Sequence, residues 1–207
     1  MFYPFILCVT LLALFFLGYH VYFDKKKKEV DTAASLNTMD CILSRTSVRS
    51  YAARKVEENI VTDILRAGMA APSALNRQPW EFIVITNPET LKKMADALPY
   101  AKMVQHAPLA VIVCGDLTKR LEGDAADFWI QDVSAVTQNM LLAAHSFGVG
   151  AVWTGVYPVA ERVKALQKLF ALPPHIVPLN VIPMGYPEGA TSPKDKWNPD
   201  KIHCEKW

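Results

Sequence analysis

Apolar side chains recur with two different periods along residues 40–207, and the alternation of these periods predicts a layered fold. In VEENIVTDILRAGMAA, the residues Val56, Ile60 and Ile64 follow the period of an amphipathic helix. Short β-branched and aromatic runs such as EFIVIT predict strands instead. Helix and strand patterns alternate along the chain, which predicts mixed α/β layers around one sheet, without repeats or a second domain. The predicted helices cover 56–71, 87–98, 125–146 and 159–174, and the predicted strands cover 81–86, 109–115, 150–155 and 176–185.

Four of these elements carry more specific signals. Asn87 is a predicted N-cap, and Pro88 suits the first helical position behind it. The strand 109–115 is continuously apolar, as expected of a strand that is buried on both faces. The long helix is apolar beyond one stripe, which indicates a place in the core or in a subunit interface. The prolines of the last strand argue against a regular central ladder there.

The N-terminal residues do not fit the folded domain. Residues 2–23 contain no formally charged side chain, and four lysines follow within DKKKK. About 20 apolar residues are enough to span a bilayer, and the lysines would remain on the cytoplasmic side. The sequence therefore predicts a membrane anchor at 1–24, a linker at 25–39 and a cytoplasmic catalytic domain at 40–207. The alternative is a signal peptide that is cleaved, with export of the domain.

Composition and motifs exclude several classes of function. The chain is 51% hydrophobic with a formal net charge of +2, which favours a folded domain and gives no reason to expect nucleic acid as a partner. The four cysteines form no C-x-x-C pair, and the five histidines have no metal-ligand spacing, so no metal site is predicted. The glycine-rich nucleotide motifs G-x-G-x-x-G and G-x-x-x-x-G-K-[ST] do not occur.

The stretch SRTSVRSY is the first candidate for a binding site. Arg45 and Arg49 supply fork-shaped donors, and Ser44, Thr46 and Ser47 add hydroxyl groups. A phosphate group accepts several such bonds, and charge-assisted hydrogen bonds are the strong ones. Taken alone, the stretch fits an exposed helical turn with capping hydroxyls better than it fits a phosphate site.

Two further stretches could contact a ligand. In APSALNRQPWEF, the side chains of Ser73, Asn76 and Gln78 could read the edge of a planar heterocycle, because an amide offers both a donor and an acceptor. The alternative is a turn that hydrogen-bonds only to itself. In GVGAVWTGV, the glycines would let a ligand or another backbone approach a strand closely.

Together these stretches resemble the FMN-dependent nitroreductase family. The resemblance rests on R-x-S-x-R, A-P-S-x-x-N-x-Q-P-W, QNMLLAA in the long helix, AVWTG and the MGYP turn, and it covers about residues 40–207. It implies an α+β nitroreductase-like fold, with a central, mostly antiparallel sheet flanked by helices. It also implies a homodimer with FMN at the interface, built from both chains.

The resemblance implies a role for each residue of the first stretch. Arg45 and Ser47 would bind the FMN phosphate and ribityl chain, and Thr46 would contribute through its backbone. Arg49 would lie near the pyrimidine edge and stabilise the reduced flavin. A cation about 4 Å away would offset the negative charge by about 4 kcal/mol at an effective dielectric of 20. Lys196 lies where relatives often carry a phosphate-binding arginine, and lysine cannot make the bidentate contact.

The remaining expected contacts come from the other two stretches and from the long helix. They are Pro72, Ser73 and Gln78 along the isoalloxazine, Asn76 at its pyrimidine edge, and Thr154 and Gly155 near N5. Phe128 and Trp129 would line the substrate pocket and cover the flavin from the partner subunit, although core packing is expected for at least one of them.

The function implied is that of an FMN-dependent NAD(P)H oxidoreductase. NADH or NADPH would deliver a hydride to flavin N5, and a nitroaromatic or a quinone would then take the electrons in a ping-pong cycle. One alternative is a reductive dehalogenase of the iodotyrosine deiodinase type, although CGDLTKRLEGDAADFW leaves little room for its substrate lid. Two functions without turnover also fit the sequence, namely a non-catalytic, membrane-tethered flavin-binding module and a membrane-surface protein that uses the lysine run.

Overall fold

A five-stranded antiparallel sheet organises the residues that the computed structural model describes, which are 37–207. The helices are α1 (Thr38–Ser44), α2 (Glu58–Met69), α3 (Pro88–Ala97), α4 (Phe128–Ser146) and α5 (Ala160–Leu169). The strands are β1 (Trp80–Ile85), β2 (Leu109–Asp116), β3 (Gly150–Ala151), β4 (Thr154–Gly155) and β5 (Ile176–Gly185). The predicted strand over 150–155 is thus divided into two short ones. The strand order is β1-β2-β5-β3, and β4 also pairs with β5.

Strand β2 places apolar side chains on both faces of the sheet, as its continuous apolar run predicts. Val111 and Val113 belong to the core that also contains side chains of α2 and α4. Ile112 and Cys114 belong to a second core, which contains side chains of α3 and α5. The sheet therefore lies between two helical layers, because alternate residues of a strand point to opposite faces. The predicted mixed α+β architecture with an antiparallel sheet is confirmed.

Strand β5 is central to the sheet, although its prolines argue against a regular ladder. It pairs with β2 along one edge and with β3 and β4 along the other. The ladder is interrupted where Val113 pairs with Asn180 and Cys114 pairs with Pro178, so that Leu179 is skipped. The freed carbonyl of Leu179 accepts hydrogen bonds from the backbone N–H groups of Val156 and Tyr157, at 3.0 and 3.1 Å. A bulge next to Pro178 thus accommodates this proline in a central strand.

The four predicted helices begin within three residues of their predicted limits, but α5 ends at Leu169, before the predicted limit at 174, and α1 was not predicted. Asn87 caps α3 as predicted, because its side chain accepts a hydrogen bond from the backbone N–H of Thr90. The long helix α4 buries eight side chains, among them Val133, Val136 and Met140. Gly68 of α2 lets α4 pack closely, because a Cβ atom there would lie 2.8 Å from Met140 Cγ. The burial of α4 agrees with its broadly apolar pattern.

The predicted transmembrane segment is the part of the fold class that has to be corrected. Across residues 37–207, none of the helices combines the length and the apolar character that a bilayer crossing needs. The predicted anchor, residues 2–23, and most of the linker lie outside the described residues. The fold class is corrected to a mixed α+β domain with no transmembrane segment in the described part. The membrane contact and the cellular location that were inferred from the anchor are withdrawn with it.

Candidate functional site

The stretch SRTSVRSY is held against the sheet by its two apolar residues. The backbone N–H of Val48 donates to the carbonyl of Ala151 at 3.0 Å. The hydroxyl of Tyr51 donates to the carbonyls of Val48, at 2.7 Å, and of Pro183, at 3.2 Å. A Cβ atom at Gly150 would lie 2.7 Å from Val48, so only glycine lets the two segments cross here. Burial raises the pKa of Tyr51 despite the nearby Arg49, so the hydroxyl stays a donor. These contacts, and the bridge between Ser47 and Ala151, therefore fix the backbone next to the polar residues of the stretch.

These polar residues line a cavity together with residues of the C-terminal tail. The cavity has a volume of about 280 Å³. Its lining contains four cationic side chains, two hydroxyl groups and no carboxylate. None of the four cations takes part in an ion pair within residues 37–207. A phosphate dianion matches this set, because it can accept charge-assisted hydrogen bonds from every cation. The lining residues, called the cationic cradle below, are Arg45, Thr46, Ser47, Arg49, Lys194 and Lys196.

The cationic cradle contains every residue that the sequence assigned to the phosphate end of the ligand. Lys196 is separated from Arg45 by 150 residues of sequence, and the fold brings the two together. Arg49 lines the same cavity, and its separate assignment to the pyrimidine edge remains a prediction. Sequence reasoning missed Lys194. The signal was its spacing, since Lys194 and Lys196 would share one side of an extended chain.

His145 connects the cationic cradle to the C-terminal end of α4. Its Nε2 atom lies 2.8 Å from Oγ of Ser44, the residue just before Arg45. Burial lowers the pKa of His145, and the positive charge of Arg45 lowers it further. The imidazole therefore tends to stay neutral beside the guanidinium and can hydrogen-bond to the serine hydroxyl.

The loop from Pro72 to Gln78 has an unusual backbone. Leu75, Asn76 and Gln78 have φ angles of 49°, 54° and 50°, in the left-handed region that favours glycine. Each such residue costs on the order of 1–3 kcal/mol, and this kind of strain is concentrated at functional sites. The backbone N–H of Gln78 donates to Ser73 Oγ at 3.0 Å, and its side-chain amide donates to Asn76 Oδ1 at 3.0 Å. The self-bonded turn that the sequence left open is thus present, and both amides also remain exposed.

Asp132 holds this loop, and sequence reasoning did not identify it. Its Oδ1 atom accepts a hydrogen bond from the backbone N–H of Ala74 at 2.9 Å. The residue is only 8% exposed and lies in the first half of α4. The available signal was the one carboxylate within Phe128–Ser146, next to the apolar Val133, since a buried charge needs a partner. The carboxylate fixes the start of the strained loop.

Strand β4 presents its backbone at a point where space is open. The hydroxyl of Thr154 donates to the carbonyl of Val181 at 2.6 Å and is buried, so it is already satisfied within the protein. At Gly155, a Cβ atom would meet no heavy atom of residues 37–207 within 4 Å. A planar ligand could therefore approach the backbone of β4 at this glycine.

Of the two aromatic residues predicted for the pocket, Trp129 packs in the core. It is 3% exposed and forms an edge-to-face contact with Tyr157, with ring centroids 5.1 Å apart. It also covers Gly115, where a Cβ atom would lie 2.2 Å from the indole. Phe128 is 43% exposed and is the member of the pair that remains accessible.

Two parts of the candidate site lie toward opposite ends of α4. Asp132 holds the strained loop, and His145 borders the cationic cradle, 13 residues farther along the helix. At a rise of 1.5 Å per residue, the two points are about 20 Å apart along the helix axis. One chain therefore holds its strained loop and its cationic cradle at separate points along α4.

Comparisons with known proteins give one consistent family. The family model described as "Nitroreductase family" matches residues 42–99 and 96–186. A protein of Methanothermobacter thermautotrophicus named "Putative NADH dehydrogenase/NAD(P)H nitroreductase" is 46% identical over 175 residues, which cover 84% of this chain and 90% of that protein. The crystal structure of a protein of the same name from Parabacteroides distasonis has 47% sequence identity and a TM-score of 0.79, and the match covers 83% of this chain and 99% of that one.

A third match contains a ligand. The crystal structure of a "putative nitroreductase in complex with fmn" from Desulfovibrio desulfuricans has 30% sequence identity and a TM-score of 0.70. It covers 83% of this chain and 98% of that one. The FMN belongs to that protein, and the cavity of the present chain has to be tested for its own fit to the cofactor.

Proposed function

The chain belongs to the nitroreductase family, and we propose that it is an FMN-dependent NAD(P)H oxidoreductase that reduces small oxidised acceptors. The resemblance inferred from its motifs is confirmed by the family-model match and by the relative of 46% identity. The names of the relatives support NAD(P)H as the donor, and the FMN complex supports the cofactor. The observation that carries the proposal is the cationic cradle, because it joins R-x-S-x-R to the tail in one cavity.

The cationic cradle fits the phosphate of FMN better than it fits riboflavin. Riboflavin ends in a neutral ribityl chain, which would leave the four cations of the cavity without a negative partner. The phosphate of FMN supplies negative charge to the cations and accepts hydrogen bonds from the two hydroxyls. The phosphate end would be held by Arg45, Ser47 and Lys196, with Lys194 as an additional cation. Charge-assisted hydrogen bonds of this kind contribute about 1.5–3 kcal/mol each.

The ring end would be held by backbone and amide groups. Gly155 leaves its backbone open to a planar group, and the amides of Asn76 and Gln78 are exposed on the strained loop. Hydride transfer from NADH or NADPH, followed by electron transfer to a nitroaromatic or a quinone in ping-pong order, is the chemistry that FMN supplies when bound. The protein binds and orients the cofactor and sets the charge around it.

The active form would be a homodimer in which each FMN site uses both chains. The two points of α4 that contact the strained loop and the start of the cationic cradle, Asp132 and His145, are about 20 Å apart along the helix axis, which supports a site shared by two chains. A two-fold axis would bring the loop of one subunit to the cradle of the other. The exposed apolar residues of α1 also favour an interface, because Met39, Ile42 and Leu43 are 59%, 44% and 68% exposed.

The alternative of a reductive dehalogenase gains no support from the segment before α4. Between β2 and α4 the chain forms turns and one short 3₁₀ turn, Gly123–Ala125. This agrees with the expectation that the segment has little room for a substrate lid. The oxidoreductase with small acceptors is therefore the better supported function.

A spectroscopic experiment on the full-length chain tests the proposal. The protein should be yellow or take up FMN, bleach on stopped-flow mixing with NADH or NADPH, and regain its absorbance with menadione or nitrofurazone. Lys196→Gln should weaken FMN binding by about 10-fold, the lower end of a lost charge-assisted bond, and leave riboflavin binding unchanged. Lys164→Gln, an exposed lysine of α5, is the matched control. A chain that takes up no FMN, or whose flavin is not bleached, would contradict the proposed function.

A further inference from the structure

Two side chains from different segments converge on one backbone carbonyl of β4. The hydroxyl of Tyr100 donates to the carbonyl of Gly155 at 2.7 Å. The guanidinium of Arg162 donates to the same oxygen at 3.2 Å. The guanidinium carbon also lies 3.7 Å from the centroid of the Tyr100 ring, so the two donors support each other. We call Tyr100 and Arg162, together with the carbonyl that they hold, the Gly155 clamp.

The Gly155 clamp acts on the edge of β4 that faces away from the sheet. Gly155 is opposite Asn180 in the pairing with β5, and the next residue, Val156, donates its N–H to Leu179 at 3.0 Å. Hydrogen-bonded and non-hydrogen-bonded pairs alternate in an antiparallel ladder, so Gly155 turns its backbone polar groups away from β5. The clamp supplies the partners that the sheet does not give to this carbonyl.

A short glycine strand needs such external support. Strand β4 has two residues, and glycine loses more conformational freedom on folding than any other residue. No heavy atom would lie within 4 Å of a Cβ at this position, so side-chain packing on that side does not hold the backbone. The two hydrogen bonds to the carbonyl take over this role, and they leave the open side free.

We propose that Tyr100 and Arg162 are positioning residues, which fix the backbone of Thr154 and Gly155 for its contact with the flavin. Arg162 also places a cation directly against this backbone, at the carbonyl of Gly155. The proposal rests on the proposed function, which assigns this backbone to the flavin ring. Tyr100 comes from the 3₁₀ helix Pro99–His106, and Arg162 comes from the first turn of α5. Neither residue lies in a stretch that the sequence motifs identify.

The physical consequence is twofold. Hydrogen bonds to charged donors are stronger than neutral ones, so loss of Arg162 should loosen the backbone more than loss of the Tyr100 hydroxyl. The cation also favours negative charge nearby, so its removal should make the two-electron potential of bound flavin more negative. A purely structural role would change stability without changing the potential.

Three variants of the full-length chain separate these effects. Tyr100→Phe removes one hydrogen bond and keeps the ring against the guanidinium. Arg162→Gln removes the cation, and Arg162→Lys keeps the charge without the planar fork. Arg66→Gln is the matched control, since Arg66 is an exposed arginine of α2 whose only ion pair within residues 37–207 is with Asp63.

The first measurement does not depend on flavin. Amide hydrogen exchange of the peptide that covers residues 154–157 should be about fivefold faster in Tyr100→Phe and faster still in Arg162→Gln, as expected for the loss of about one hydrogen bond. Arg66→Gln should exchange like the parent. Equal exchange in all four proteins would overturn the proposal, whether or not the parent binds FMN.

The second measurement uses the flavin-loaded protein. At saturating FMN, Arg162→Gln should have a more negative midpoint potential than the parent and slower single-turnover reduction by NAD(P)H, while Arg162→Lys should retain the parental potential. Faster exchange combined with parental potential and rate would overturn the positioning role and leave only a structural one. If the parent binds no FMN, the proposed function fails and the positioning of this backbone for flavin is overturned with it, whereas faster exchange would still establish the clamp itself.

Discussion

Replacing Arg45 in one copy of the chain and Asp132 in another tests whether each FMN site is built from two subunits. Arg45 belongs to the cationic cradle, and Asp132 holds the strained loop through the backbone N–H of Ala74. Arg45→Ala and Asp132→Ala each damage one part of the site. In a composite dimer, a mixed pair has one site with both defects and one site with none.

The contacts set the size of the effect. Each variant loses one hydrogen bond to a charged group, which contributes about 1.5–3 kcal/mol and corresponds to roughly a 10- to 150-fold weaker FMN affinity. At an FMN concentration between the parental and the variant Kd, the parent is saturated and each variant alone is largely empty. Random mixing makes half of the dimers mixed, so about one quarter of all sites should regain FMN.

The assay is a comparison of FMN content before and after subunit exchange. The two variants are unfolded and refolded together with FMN, and bound flavin is measured by absorbance after desalting. Refolding each variant alone gives the background. Asp132→Asn, which keeps an acceptor for Ala74, should bind FMN more tightly than Asp132→Ala.

One result would refute the reasoning. If co-refolded dimers form but retain no more FMN than the two variants refolded separately, both parts of a site come from the same chain. The separation of about 20 Å between Asp132 and His145 along α4 would then not keep the strained loop from the cationic cradle of the same chain.

Three further predictions concern single residues. Arg49→Ala should make the two-electron potential of bound flavin more negative and have a smaller effect on FMN affinity, which the phosphate dominates. Redox titration measures the potential. Gly150→Ala should lower the free energy of unfolding by about 1–3 kcal/mol in urea, because its Cβ would lie 2.7 Å from Val48. His145 has a lowered pKa in the folded state, so the parent should lose stability as the pH falls below about 6.5, and His145→Gln should lose less between pH 7 and 5.

The prediction for Gly150 has a matched control variant. For Gly150, the control is Gly155→Ala, where the new Cβ meets no heavy atom of residues 37–207 within 4 Å, so the unfolding free energy of the FMN-free protein should not fall. For His145, an equal loss of stability between pH 7 and 5 in the parent and in His145→Gln would contradict the prediction. An unchanged flavin potential in Arg49→Ala would contradict the role of Arg49 in stabilising the reduced flavin. Parental stability in Gly150→Ala would contradict the close crossing with Val48.

The sign of the pH effect follows from proton binding. Burial and the nearby charge of Arg45 disfavour the protonated imidazole of His145 in the folded state. The unfolded chain therefore binds the proton more readily, and acid favours unfolding in the window below the ordinary histidine pKa of about 6.5. Removing the histidine removes this contribution.

The local pattern of the chain determined the elements and the polar stretches of the site. The period of Val56, Ile60 and Ile64 predicts α2, and the cap at Asn87 predicts the start of α3, because both depend on contacts between residues close in sequence. The motif stretches identify Arg45 and Asn76 for the same reason, since their residue types lie within a few positions of each other.

Only the tertiary structure decided how distant residues combine. The cationic cradle joins Arg45 to Lys194, the loop depends on Asp132, and the clamp on Gly155 uses Tyr100 and Arg162. The contacts of Asp132 and Tyr100 join residues more than 50 positions apart, whereas Arg162 lies only seven residues from Gly155. All of them form because packing of the helices on the sheet sets the positions of both partners. Periodicity describes which face of an element is buried, whereas the identity of the neighbour across that face depends on the fold as a whole.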